Sequence, residues 1–238
     1  MAAQKRTGAG SNLRTFYIVL ALLAIGGLAA LGYAVLGGGS PATEPVELVG
    51  VEDPRALYEM AKPEVMGDPN TPVKIVEFGD YQCPGCRGFA TRIKPVLKAR
   101  YVDTGKAHLV YYDYPLTEIH PHAFLAARAA RCAADQGKFW EYHDLVFSRQ
   151  ASWAYSRSAP VDEFESYAEE LGLDRGEFAS CLESDTHRDL VTANRRLGEE
   201  LRVMATPTII INNRRVPDVG DLEAIIQMIE ESIQEDGA

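Results

Sequence analysis

From Val73 the chain reads VKIVEFGDYQCPGCRGF, and no other stretch restricts its fold as strongly. Val73 to Phe78 is β-rich and nearly all apolar, which predicts a strand buried on both faces. It leads directly into Cys83-Pro84-Gly85-Cys86. Proline suits the first turn of a helix, so the cysteine pair should open a helix through RGFATRIKPVLKARYV, kinked at Pro95. A second strand at HLVYYDYP completes strand, helix, strand.

From His120 to Leu201 the apolar spacing is helical. Phe124, Leu125, Ala129, Cys132, Phe139, His143 and Val146 share faces, Gly137 marks a break, and Pro121 suits a first helical position. The pattern then returns to β at TPTIIIN, turns at Asn212 and Asn213, and gives a short strand at RRVPD. It closes in an amphipathic helix capped by Asp221, with Leu222, Ile225, Ile226 and Ile229 on one face. A β-α-β half and a β-β-α half are thus separated by a long helical block.

Cysteines at this spacing serve zinc or redox chemistry. A structural zinc needs four ligands, whereas Cys132 and Cys181 stand alone and the His120/His122 spacing is unusual for zinc. A redox pair needs its first cysteine at a helix N-terminus, where free N–H groups and the dipole favour a thiolate, and its second one turn inside. Cys83 and Cys86 satisfy that requirement.

Glu77 is out of place in a buried strand. Unless paired, its carboxyl should be raised in pKa, and a protonatable group there could exchange a proton with Cys86. The alternative is a strand-end glutamate paired with Lys74 or Lys106. Thr206-Pro207 opens the late strand, where a trans proline at a strand entrance is the simpler expectation.

Taken together, VEFGDYQCPGC, HPHAFLAARAARCAADQGKFWEYHDLVF and ATPTIIIN resemble the DsbA-like thiol-disulfide oxidoreductases of bacteria, from about residue 65 onward. The resemblance implies an α/β thioredoxin fold, with β-α-β and β-β-α halves around a mixed sheet and an inserted α-helical domain. It assigns Cys83 to the mixed disulfide, Cys86 to its resolution and Glu77 to the buried acid, and it makes Pro207 cis. Thr206 then meets substrate through its backbone, beside Pro84 and Gly85. No cofactor or metal is implied. Strongly oxidising members carry histidine where this chain has Gly85, so the Cys83 pKa should be lowered, but less extremely.

Cys132 and Cys181 each lie on an apolar helical face. They are either buried thiols or a disulfide stapling two helices; an even cysteine count, an oxidising compartment and a similar pair in some relatives favour the disulfide. His120, His122 and His143 are read as capping and core residues.

The compartment is read from the N-terminus. Phe16 to Leu36 holds 21 uncharged residues, long enough as a helix for a hydrocarbon core of about 30 Å. Lys5, Arg6 and Arg14 precede it without an acid, so residues 1–15 should be a cytoplasmic tail and 16–36 one transmembrane helix of the plasma membrane. A cleaved signal peptide is the competing reading. Residues 37–64 form a linker and lead-in, 65–119 the first thioredoxin half, 120–201 the helical insertion and 202–238 the second half. The net charge of −10 makes a poor surface for nucleic acid.

The expected activity is disulfide exchange outside the cytoplasm. Cys83-Cys86 would donate its disulfide to cysteine-containing secreted or membrane proteins and be reoxidised by a membrane partner of the DsbB or vitamin K epoxide reductase type. A reductase or isomerase on the same fold, and a non-catalytic chaperone or metal-binding module, are the alternatives.

Overall fold

The computed structural model of the chain describes residues 15–25, 41–49, 51, 53–184 and 186–236. The chain divides into two units, 1–40 and 41–238. In the first, residues 15–25 are helical, and the rest of the anticipated tail, span and linker up to residue 40 lies outside the described residues. Among the described residues no helix is long and apolar enough to cross a membrane.

The second unit is built on a five-stranded sheet of order β1-β3-β2-β4-β5. The strands are β1 Glu64–Met66, β2 Val73–Gly79, β3 Ala107–Asp113, β4 Thr208–Ile211 and β5 Arg214–Arg215. β2 and β3 run parallel, and the other three pairings are antiparallel. β2 is buried except at Lys74, as its apolar run requires. The short helix α1, Pro54–Met60, is capped by the Asp53 carboxylate. β1 has no local signal in the sequence. Three residues are too few to show an alternating pattern, and their strand state depends on pairing with β3.

α2 opens at Pro84–Gly88 and continues through a π-helical turn Phe89–Ile93, the segment Lys94–Leu97, and a second π-helical turn Lys98–Val102. The expected disturbance at Pro95 is taken up by the wide turn before it, where Lys94 N–H bonds the Phe89 carbonyl. Proline has no N–H to give and would crowd the carbonyl four residues back, and a wide turn relieves both. The helical block contains α3 Ala123–Asp135, α4 Phe139–Ser148, α5 Gln150–Trp153, α6 Val161–Glu170, α7 Arg175–Glu183 and α8 Arg188–Glu200. α9, Leu222–Asp236, closes the fold, with Ala224 N–H on Asp221 Oδ1 at 3.0 Å.

Both faces of the sheet are covered. On one, Ile75, Ile209 and Ile211 pack with Phe89, Ile93 and Leu97 of α2 and Ile225 and Ile229 of α9. On the other, Val76, Phe78, Val110 and Tyr112 meet Leu57 of α1 and Leu197 of α8. Gly198 allows that approach, because a Cβ there would lie 2.5 Å from the Tyr114 ring. α8 therefore packs on the sheet although it falls inside the helical block. A third cluster joins α3, α4 and α6 to the sheet through Tyr81 and Tyr111, around Phe124, Phe147, Trp153 and Phe164. Each such fully buried large side chain contributes roughly 1.5–3 kcal/mol.

A buried ion network ties this cap to the sheet. Arg131 of α3 donates to Asp113 Oδ2 at 2.7 Å, Glu64 Oε1 at 2.9 Å and Asn194 Oδ1 at 3.3 Å. At the outer end of α3, Cys132 and Cys181 are joined by a disulfide across a separation of 49 residues.

Candidate active site

The C-terminal end of β2 delivers the chain to α2 with Cys83 as N-cap and Pro84 in the first turn. This is the geometry expected when an apolar strand runs into CPGC. Cys83 is partly exposed and Cys86, one turn further, is fully buried; both are free thiols. Cys83 Sγ donates to the Thr206 carbonyl oxygen at 3.3 Å, and the Thr206-Pro207 peptide is cis. Gly85 lies against the same pair, since a Cβ there would be 3.1 Å from Pro207 Cδ and 3.6 Å from Cys83 Sγ. Pro84 is exposed beside them. Five residues from two distant parts of the chain, Cys83, Pro84, Gly85, Thr206 and Pro207, thus meet at one place, with Pro207 buried beneath the exposed Pro84 and Gly85.

The two sulfurs differ sharply in acidity. Hydrogen bonding from the Cys86 side chain is the largest influence on Cys83; together with the Thr206 hydroxyl and the Cys86 and Gly85 backbone N–H groups it outweighs burial and brings the pKa down to about 5. Burial pushes Cys86 well up, reinforced by its role as hydrogen-bond donor to Cys83 and by the charges of Cys83 and Glu77.

Glu77 is fully buried, and neither carboxyl oxygen has a hydrogen-bond partner. Burial raises its pKa to about 8, with Lys94 opposing and Asp144 and Cys83 assisting. Neither lysine anticipated as a partner pairs with it: Lys74, an odd number of residues away on the same strand, points to the opposite face. Its nearest compensating charge is Lys94 of α2, itself buried, which bonds Asp144 and lies 3.3 Å from His143 Nδ1. Asp144 is half-exposed, so the cluster reaches from the buried acid to the surface.

One further carboxylate organises the loop. Asp80 Oδ1 accepts from the Gln82 N–H at 2.7 Å and the Cys83 N–H at 3.2 Å. Its Oδ2 accepts from the Leu116 N–H at 2.8 Å and bonds His120 Nδ1 at 2.7 Å. Gln150 Nε2 holds the carbonyls of Tyr81 and Cys83 at 2.8 and 2.9 Å. His122 occupies the N-cap position of α3, as a capping residue should, whereas His120 lies before it and bonds Asp80 instead. The helix begins at Ala123, and the His122 side chain makes no cap bond; its Nε2 pairs with the Ser156 carbonyl at 2.9 Å. His143 is a core residue, packed edge-on against Tyr81 and Tyr111.

Asp80, Gln150 and Lys94 are the site residues that the sequence reading did not pick out. Lys94 had a usable signal, a base on a helix face otherwise occupied by Ala90 and Leu97. Asp80 had one too, an aspartate just ahead of a helix start. Nothing in the sequence connects Gln150 to Cys83.

A family model described as Thioredoxin matches residues 60–231. The chain is 32% identical over 176 residues to a Na(+)/H(+) antiporter NhaA 3 of Salinispora tropica, covering 74% of this chain and 26% of that protein. It is 28% identical over 181 residues to a probable disulfide bond formation protein D of Bacillus anthracis, covering 71% and 79%. The alignment thus spans about a quarter of the antiporter relative's length. Among solved structures, oxidised BdbD from Bacillus subtilis superposes with a TM-score of 0.66 at 24% identity, covering 73% of this chain and 97% of that one. Wolbachia pipientis alpha-DsbA1 gives 0.66 at 22% identity, covering 73% and 92%.

Proposed function

We propose, from the premise that the chain belongs to the thioredoxin family and has the DsbA-like fold, that it is an extracytoplasmic oxidase donating the Cys83-Cys86 disulfide to protein thiols. The observation that carries this reading is the asymmetry of the pair, with an accessible Cys83 at a pKa of about 5 against a buried Cys86 held well above the thiol range. A stable Cys83 thiolate favours the reduced pair, which makes the disulfide a good oxidant.

In the forward reaction a substrate thiolate attacks Cys83 Sγ of the oxidised pair. The Cys83–Cys86 bond breaks, and Cys86 leaves with the electron pair and takes a proton. Glu77, buried and with its pKa raised to about 8, would supply it. A second substrate thiolate then attacks the substrate sulfur of the mixed disulfide. Substrate leaves oxidised by two electrons, and Cys83 leaves as a thiolate stabilised at the helix N-terminus. Reoxidation reverses these steps, with Glu77 taking the Cys86 proton.

Residues 16–36 would anchor the domain to the membrane with the site outside. Substrates would be cysteine-containing secreted or membrane proteins, and the electron acceptor a membrane protein of the DsbB or vitamin K epoxide reductase type. Backbone groups at Thr206 would pair with an extended substrate segment. Ile119, Tyr155 and Met204, all exposed, lie on three loops whose neighbouring residues bond Asp80, Gln82 and Cys83, and they would supply apolar contacts around the sulfur. Gly85 in place of histidine favours a second reading, a weaker oxidant working as a reductase or isomerase.

The deciding experiment combines the reduction potential of the pair with alkylation trapping in growing cells. An oxidase has Cys83 and Cys86 mainly in the disulfide form and oxidises a reduced peptide in stoichiometric amount. A pair found mainly reduced would transfer the assignment to the reductase.

A further inference from the structure

Asp80 is a buried carboxylate that accepts the Cys83 N–H, and so stands as a negative charge against the atom group in which a thiolate must form. Left alone it would oppose that thiolate, since a like charge disfavours ionisation. It is not alone. Its other oxygen holds His120 Nδ1 at 2.7 Å, with the histidine side chain only 16% exposed. The same carboxylate therefore bonds the Cys83 backbone and an imidazole arriving from the loop that follows β3.

We propose that His120, oriented by Asp80, is the positioning cation that balances the Asp80 charge and favours the Cys83 thiolate. The inference rests on the thiol-disulfide reading of Cys83. With Nδ1–H committed to Asp80, the charged form carries a second proton on Nε2, and the ring gains a unit of charge without losing its anchor. The pKa of His120 is raised, first by the hydrogen bond to Asp80, against burial, and then by the charges of Asp80 and Cys83. Among the described residues, the charged groups acting on the imidazole are those two, from the β2–α2 loop and the start of α2. His122 faces away, toward Ser156. The coupling is reciprocal: whatever the Cys83 thiolate adds to the affinity of His120 for its proton, the protonated ring adds to the acidity of Cys83.

The test is a titration of the Cys83 thiolate by its ultraviolet absorbance in the reduced full chain, for the unaltered protein and for His120→Gln and His120→Lys. Glutamine can keep a hydrogen bond to Asp80 without charge, and lysine restores the charge. The expected result is a thiolate pKa raised by about 0.5 to 1 unit in His120→Gln and brought back, at least in part, in His120→Lys. An unchanged value in His120→Gln overturns the proposal. So does a rise that lysine fails to reverse, because the role is then structural. Should either variant fail to fold, the NMR titration of His120 in the unaltered protein decides: it should titrate higher in the reduced than in the oxidised state, and equal values overturn the proposal. These measurements need no substrate, so they stay informative even if in-cell trapping rejects the oxidase.

Discussion

Cys83 Sγ donates a hydrogen bond to the Thr206 carbonyl oxygen at 3.3 Å, so the cysteine that caps α2 rests against a residue 123 positions later in the chain. The Thr206 hydroxyl is buried and has no hydrogen-bond partner while Cys83 is protonated, so it is free to donate to the thiolate, and it is among the groups that lower the Cys83 pKa to about 5. Thr206→Val keeps the backbone and shape but removes the hydroxyl. The thiolate pKa should rise by about a unit, and the disulfide should become correspondingly easier to form and poorer as an oxidant. Thiolate titration and equilibration against glutathione read the two effects.

The potential of the pair should fall with pH at about 30 mV per unit between pH 5 and 8, and at about 60 mV per unit below pH 5. Above its pKa of about 5 Cys83 stays unprotonated on reduction, so only Cys86 takes up a proton for two electrons. A slope near 60 mV at pH 7 would mean that both sulfurs bind protons there, contrary to the depressed Cys83 value.

Glu77→Gln should stabilise the reduced protein, and increasingly so with pH. The native carboxyl has its pKa raised to about 8 from 4.5, so between those values the folded state binds more protons than the unfolded one, and wild-type stability falls as pH rises. Urea unfolding at pH 5 and pH 8 measures the widening gap. Since Lys94 opposes the shift, Lys94→Met should push the Glu77 pKa further up, which infrared titration of the carboxyl band can follow.

Replacing Cys132 and Cys181 together by serine should cost about 4 kcal/mol of unfolding free energy on the chain-entropy account of a 49-residue separation. The Cys83 thiolate titration should be unchanged, because the disulfide ties α3 to α7 and has no bond to the active-site loop. Denaturant unfolding gives the first quantity, and absorbance the second.

Arg131→Met should be destabilising by about 3–5 kcal/mol at pH 7, since it leaves the Asp113 carboxylate buried without its partner. Arg131→Met with Asp113→Asn should recover much of the loss. A double-mutant cycle in urea measures the coupling.

Local patterns in the chain were enough for much of the fold. The apolar run before CPGC dictates β2, Pro84 after Cys83 dictates the start of α2, and helical periodicity dictates the block between the sheet halves. Glu77 was conspicuous because a carboxylate breaks an apolar run, and its burial raises its pKa whatever surrounds it. Each of these signals lies within one element, where side-chain spacing and backbone preference suffice.

What only the tertiary structure decided are the partnerships between elements. β1 is too short to be recognised without β3. Lys94, His143 and Asp144 meet across some 50 residues, Arg131 meets Asp113, Glu64 and Asn194, and Asp80 meets His120 across 40. Lys74 and Lys106 were the wrong partners for Glu77, and His120 was not a cap. Charge and hydrogen bonding depend on distance in space, and inside this protein those distances are fixed by how α2, α4 and the loop after β3 pack around the end of β2. The sequence supplied a pair of cysteines and an acid within a strand; packing supplied the burial of Cys86 and Glu77, the hydrogen bonds that favour the Cys83 thiolate, and the Lys94 ammonium that opposes the rise at Glu77.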